Sequence, residues 1–178
     1  MTAHETFIIA GLTLRLNVEG FPIALPASFA PFRSDSRGSD DVDLAVILGT
    51  SPQPLPSDDT VVDDTTSDMG RVRLLRSGQT WIVALTDRTG ATHTLTADLL
   101  FSHADLQAEA SSAEATATVS SLLRIAFSQR VIMRGGISVH ASAVVAPDGS
   151  GYIFLGPSGT GKSTHSRLWI EAFPGTRL

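Results

Sequence analysis

Residues 156–163 read GPSGTGKS and match G-x-x-x-x-G-K-[ST] at every fixed position. A short apolar run, YIFL, precedes the motif and a helical pattern follows it, ended by Pro174-Gly175. The chemistry such a segment serves is phosphate binding. Glycines at Gly156, Gly159 and Gly161 let the backbone bend until successive N–H groups point inward as a nest. The nest opens on a helix N-terminus, whose partial positive charge favours an anion. Each hydrogen bond to a charged phosphate contributes roughly 1.5–3 kcal/mol, so several together hold a nucleotide. Pro157, Ser158 and Thr160 complete the loop. Lys162 is expected to reach the β- and γ-phosphates, Ser163 to ligate Mg²⁺ through its hydroxyl, and Thr164 to add a hydroxyl near the α-phosphate. Lys162 is the single lysine of the chain; the other twelve basic residues are arginines. A compact ammonium fits inside a phosphate nest where a planar guanidinium fork does not.

Other candidate constellations are weaker. Residues 156–160 are not a G-x-S-x-G elbow, because Thr160 stands where the last glycine belongs. His4, His93, His103 and His165 are scattered without ligand spacing. For His165, just past the loop, a surface or packing role is preferred to phosphate contact. His140 shares a strand face with Ser142 beside the strand entering the loop, and is read either as a structural histidine or as a neighbour of the site. The aspartates in RSDSRGSDD (33–41) and SPQPLPSDDTVVDDTTSD (51–68) do not match a calcium loop, so both stretches are read as solvated loops.

The elements that must position the phosphate loop are legible in outline. Residues 5–100 read as mostly β. TFIIAGLTLRLNV is broken at Gly11, DVDLAVILGT is a short apolar run, and GRVRLLRSGQTWIVALTDRTGATHTLTA gives three strands with turns at Ser77-Gly78 and Thr89-Gly90. A small antiparallel sheet is expected. Residues 111–134 carry a helical stripe of Val119, Leu122, Leu123, Ala126 and Phe127. Ser111 and Glu114 suggest a capping box, Arg134 sits in the last turn, and Gly135-Gly136 stop the helix. ISVHASAVV (137–145) alternates, with Ile137, Val139, Ala141, Ala143 and Val145 on one face and Ser138, His140 and Ser142 on the other. With APDGSG as the turn, it is expected to form a hairpin with YIFL. The expected fold class is α+β. A β-rich domain (1–104) is followed by a linking helix (105–134) and then by the start of a P-loop α/β nucleotide-binding domain (135–178).

Composition narrows the function classes. The 178 residues carry a net charge of −5 and no run of basic residues, which speaks against broad nucleic-acid or anionic-membrane binding. There is no cysteine, so disulfides and thiolate metal sites are excluded. No basic n-region precedes the first apolar run, and no apolar run approaches the length that spans a bilayer, so the expected location is the cytoplasm.

The segment GGISVHASAVVAPDGSGYIFLGPSGTGKSTHSRLW, residues 135–169, resembles the catalytic domain of HPr kinase/phosphorylase and its relatives, which share a core with phosphoenolpyruvate carboxykinase. In that family a His-bearing strand makes a hairpin into the phosphate-loop strand, as VHASAVVAPDGSGYIFLG does here. The resemblance covers about a fifth of the chain. It implies that Gly156–Thr164 bind ATP and Mg²⁺, that His140 lies near the active site, and that a serine hydroxyl of a protein or small molecule is phosphorylated. The kinase relatives form rings, which leaves a homo-oligomer open for the full-length protein, while the sequence itself does not set the oligomeric state. The family loop usually has Glu where Thr164 stands, so HPr itself is not implied as substrate. The family's catalytic aspartates follow the helix after the loop, whereas this chain stops at Leu178. The sequence is therefore expected to be a fragment inactive alone. Another P-loop ATPase, for transport or assembly, and a non-catalytic nucleotide-binding regulatory module are the alternative readings.

Overall fold

A computed structural model of the chain describes residues 3–34, 41–52, 54–55, 60–67 and 69–178. The chain divides into two compact units, Met1–Ile137 and Ser138–Leu178. In the first unit, β1 (His4–Ile9) and β2 (Leu12–Asn17) form a hairpin, and a 3-10 helix over Ala27–Phe32 leads to the two-residue β3 (Arg33–Ser34). Then come β4 (Leu44–Gly49), β5 (Thr60–Ser67), β6 (Gly70–Ser77), β7 (Thr80–Thr86), β8 (Thr92–Asp98), β9 (His103–Gln107) and α1 (Ala115–Met133). Among the described residues these nine strands make one sheet in the order β3-β1-β2-β4-β9-β8-β7-β6-β5.

The sheet is mixed rather than small and antiparallel. β2 pairs with β4 and β4 with β9 in parallel, and the remaining neighbours are antiparallel. The β6–β7 and β7–β8 hairpins turn at the Ser77-Gly78 and Thr89-Gly90 positions read from sequence. Alternation decides which face is dry: Leu14 and Leu16, Leu44 and Val46, Val83 and Leu85, and Leu95 and Ala97 enter one core. Helix α1 covers that face with Val119, Leu122, Leu123 and Ala126, the stripe expected for it. β7 is buried on its other face as well, where Ile82 and Ala84 meet Leu75 under Leu55. Its β-branched and aromatic run, TWIVALT, suits a strand covered on both sides.

The expected α+β class is therefore corrected to mostly β, with 40% strand and 22% helix among the described residues. The linking helix is corrected too. Residues 105–107 belong to β9, and α1 packs on β7, β8 and β9 inside the first unit, because its apolar stripe completes the core of that sheet. The expected start of a P-loop α/β domain is likewise overturned. The second unit holds β10 (Ala141–Val145), β11 (Gly151–Leu155) and α2 (Lys162–Ala172), and its two strands pair antiparallel, whereas a P-loop sheet is built on parallel strands.

Three local readings also change. The loop expected at 51–68 contains β5, which is exposed along its length and held to β6 by backbone pairing and by Asp64, whose carboxylate accepts from Arg71 Nε at 2.7 Å. Residues 53, 56–59 and 68 of that stretch, and 35–40 of the other, lie outside the described residues; Arg33–Ser34 pairs with β1. The capping box does not form. Ser111 Oγ donates to Glu109 Oε1 at 2.7 Å, while Glu114 is itself the N-cap residue and its carboxylate takes Arg88 Nε at 2.7 Å. Finally, the strand expected at 137–145 begins only at Ala141, and its buried face is the opposite one: Val144 is buried, Ser142 faces α2, and Ala143 is exposed.

Candidate phosphate-binding site

The site lies wholly in the second unit. β10 and β11 pair in register from Ala141↔Leu155 to Val145↔Gly151, and the chain leaves Leu155 into the glycine loop. α2 packs on both strands. Tyr152 and Phe154 point to α2, where they stack on Trp169 at centroid distances of 4.8 and 5.4 Å. His165 joins this cluster edge-on to Phe154 at 4.5 Å. The residues after α2 return to the hairpin: Val145 N donates to Arg177 O at 2.8 Å and Arg177 N to Val145 O at 3.1 Å.

The loop has the backbone that a nest requires. Gly159 (φ 82°) and Gly161 (φ 84°) lie in the left-handed region, and Gly161 is the N-cap of α2. Gly156 (φ 155°) has a second reason to be glycine, since a Cβ there would stand 2.8 Å from Thr160 Oγ1. Thr160 Oγ1 donates across the turn to Pro157 O at 2.8 Å. The first helical backbone bond of α2 is His165 N to Gly161 O at 2.8 Å. The N–H groups of Lys162, Ser163 and Thr164 thus precede the intrahelical ladder at the end that favours an anion.

Lys162 folds back over the loop. Its ammonium donates to Gly156 O at 2.9 Å and to Pro157 O at 2.8 Å. An ammonium has three N–H groups, so one donor and the full charge remain for a ligand. A cleft of about 580 Å³ opens here, lined by Phe154, Gly156, Pro157, Thr160, Lys162 and His165 among others. Ser158 and Gly159 lie on the exposed crest of the loop, and Ser163 and Thr164 present exposed side chains on the first turn of α2. This donor set fits phosphate: flexible glycine backbone, a helix N-terminus and one cation. For Mg²⁺, no cluster of three or more His, Cys, Asp or Glu side chains occurs among the described residues. A cation here would take the Ser163 hydroxyl together with phosphate oxygens and water, the set Mg²⁺ prefers.

His140 stands just before the register pair Ala141↔Leu155, next to the start of the loop, without lining the cleft. It is exposed and precedes β10. The polar residues that do reach the loop from its supporting elements are Ser142 and Ser166. Ser142 Oγ donates to Lys162 O at 3.1 Å, and Ser166 Oγ, which lies 3.3 Å from the same oxygen, pairs with the Ser142 hydroxyl; each hydroxyl has a single proton, so only two of these three contacts form at a time. The sequence does hold a signal for Ser166, four residues after Lys162 and hence over the same turn of helix. It holds none for Ser142 beyond a polar residue in an apolar strand. Compared with protein-family models, curated proteins and solved structures, the chain matches none of them.

Proposed function

We propose that the chain binds the phosphates of ATP, with Mg²⁺, in the loop Gly156–Thr164, and that this binding serves an HPr kinase-like transfer of the terminal phosphoryl group to a serine hydroxyl of a protein or small molecule. The observation that carries the reading is the clasp of Lys162 across the loop, with its ammonium held by the carbonyls of Gly156 and Pro157 at the mouth of the cleft. The carbonyls fix where the charge sits before a ligand arrives, so little ordering is left for binding to impose. Gly159 and Gly161 supply the left-handed backbone that lets a loop turn its N–H groups inward, and Ser163 offers a hydroxyl to the cation. Ser163 would hold Mg²⁺ together with the phosphates, and the cation would supply neutralisation of phosphate charge. The setting that goes with this reading is the cytoplasm; no helix among the described residues is long and apolar enough to cross a membrane.

Calorimetric titration with Mg·ATP tests the binding. Lys162→Ala is expected to weaken it about tenfold or more, the loss of one charge-assisted bond of roughly 1.5–3 kcal/mol. Lys162→Arg is expected to bind no better, because a rigid planar fork does not reproduce the ammonium's donation to both carbonyls. Undiminished affinity in Lys162→Ala overturns the role given to that residue. Phosphate release from ATP by the chain favours an ATPase instead, since the kinase reading expects this fragment to be inactive alone.

A further inference from the structure

Ser142 on β10 and Ser166 on α2 meet at one backbone atom, the carbonyl oxygen of Lys162. Ser166 is 1% exposed and Ser142 half-buried. Packing alone does not call for serine at either position. Alanine fills nearly the same space, has the higher helix propensity, and leaves no hydroxyl to desolvate. A serine that bonds back to the carbonyl four residues earlier slightly weakens a helix. Each hydroxyl has one proton, so one donates to the carbonyl and the other supports it through the bond between the two; together they hold a single peptide unit.

That unit joins Lys162 to Ser163. A trans peptide is planar, with its C=O and N–H pointing in opposite directions. Fixing the carbonyl from behind therefore fixes the direction of the Ser163 N–H, which lies ahead of the first helical bond. Hydrogen bonds to the carbonyl also polarise the same unit and make its N–H a stronger donor. From this geometry we infer that Ser142 and Ser166 are positioning residues, holding the Lys162–Ser163 peptide so that the Ser163 N–H is aimed at and strengthened for a phosphate oxygen. The inference rests on the phosphate-binding reading above, but the state of the peptide is observable without a ligand.

The experiment compares the whole chain with its Ser142→Thr and Ser142→Val forms, and with the Ser142→Ala/Ser166→Ala double variant. Threonine keeps the hydroxyl and valine has the same shape without it, so the pair separates hydrogen bonding from packing. In ligand-free protein, the Ser163 amide proton resonance is expected to move upfield in Ser142→Val and in the double variant, and to stay in place in Ser142→Thr. In Mg·ATP titrations, Ser142→Val is expected to bind about three- to tenfold more weakly, the loss of one ordinary hydrogen bond, with Ser142→Thr near the unsubstituted protein. An unmoved Ser163 amide, or equal affinity for the threonine and valine forms, overturns the inference. If the amide moves as expected while the unsubstituted chain does not bind Mg·ATP, the nucleotide reading fails and the inference falls with it, although the peptide is held as described.

Discussion

Asp87 sits at the end of β7, buried, and organises the turn that leads to β8. Its Oδ1 accepts from Thr89 N at 2.8 Å, Thr89 Oγ1 at 2.7 Å and Ala91 N at 3.1 Å. Its Oδ2 accepts from His93 Nε2 at 3.0 Å and from Ser112 Oγ. Glu109 N donates to His93 Nδ1 at 3.2 Å, which leaves the ring proton on Nε2, facing Asp87. Burial by itself raises the Asp87 pKa, but the bonds from Ser112, Thr89, His93 and Ala91 outweigh it and hold the carboxyl well below the usual range. Asp98 follows the same logic: burial raises its pKa, and donors from Ser102, Leu100 and His103 bring it below the usual value. A carboxyl depressed in the folded state contributes stability that is complete above its unfolded pKa of about 3.9 and is lost as pH falls below that value toward the folded one. Acid denaturation of the first unit is therefore expected below about pH 4. Asp87→Asn should lower stability at neutral pH by on the order of 2 kcal/mol, since a buried donor left without its acceptor costs about 1–3 kcal/mol. It should also flatten the acid limb of a stability–pH curve measured by denaturant titration. An unchanged curve would show that Asp87 is not the group that titrates.

The strands differ in how much each declares about itself. β6 and β7 alternate, contain β-branched or aromatic residues and meet at a Ser-Gly turn, so the hairpin is legible from spacing alone. β5 is polar and exposed throughout, and nothing in TVVDDTTS distinguishes an edge strand from a solvated loop except the partner it finds in β6. Entry into β6 depends on Gly70, whose φ is +118° and where a Cβ would stand 2.1 Å from Thr86 O. Gly70→Ala is expected to cost about 1–3 kcal/mol from backbone strain alone, with the clash in addition. Gly78→Ala, at φ +53° with open space around it, is expected to cost only about 1 kcal/mol. Chemical denaturation of the two variants checks the contrast, and equal losses would refute it. On β10 the expected apolar face is the wrong one, because alternation of serine with alanine leaves the choice to the element packed alongside. Ser142, whose hydroxyl bonds Lys162 O of α2, and the buried Val144 share the side that reading assigned to polar residues.

On the scale of the whole chain, the main apolar cluster of the first unit draws all its buried members from Phe7 to Ala126. Residues 132–140 are exposed between it and the hairpin of the second unit. Limited trypsin digestion is expected to cut after Arg134 and leave an N-terminal fragment that keeps its β circular dichroism and melts cooperatively; a fragment without a cooperative melt would show that the first unit's core does not suffice. The sequence by itself determined the glycine loop with its lysine, the glycines with their turn positions and the apolar stripe of α1, because each is a pattern of neighbours a few residues apart acting through local backbone geometry. Only the tertiary structure decided that the β-rich half is one mixed sheet, with β2, β4 and β9 side by side in parallel, and that α1 lies on that sheet rather than joining two domains. It alone brought Ser142, twenty residues before Lys162, to that residue's carbonyl. These outcomes depend on which distant faces are buried together, and burial is a property of the assembled surface that local spacing does not specify.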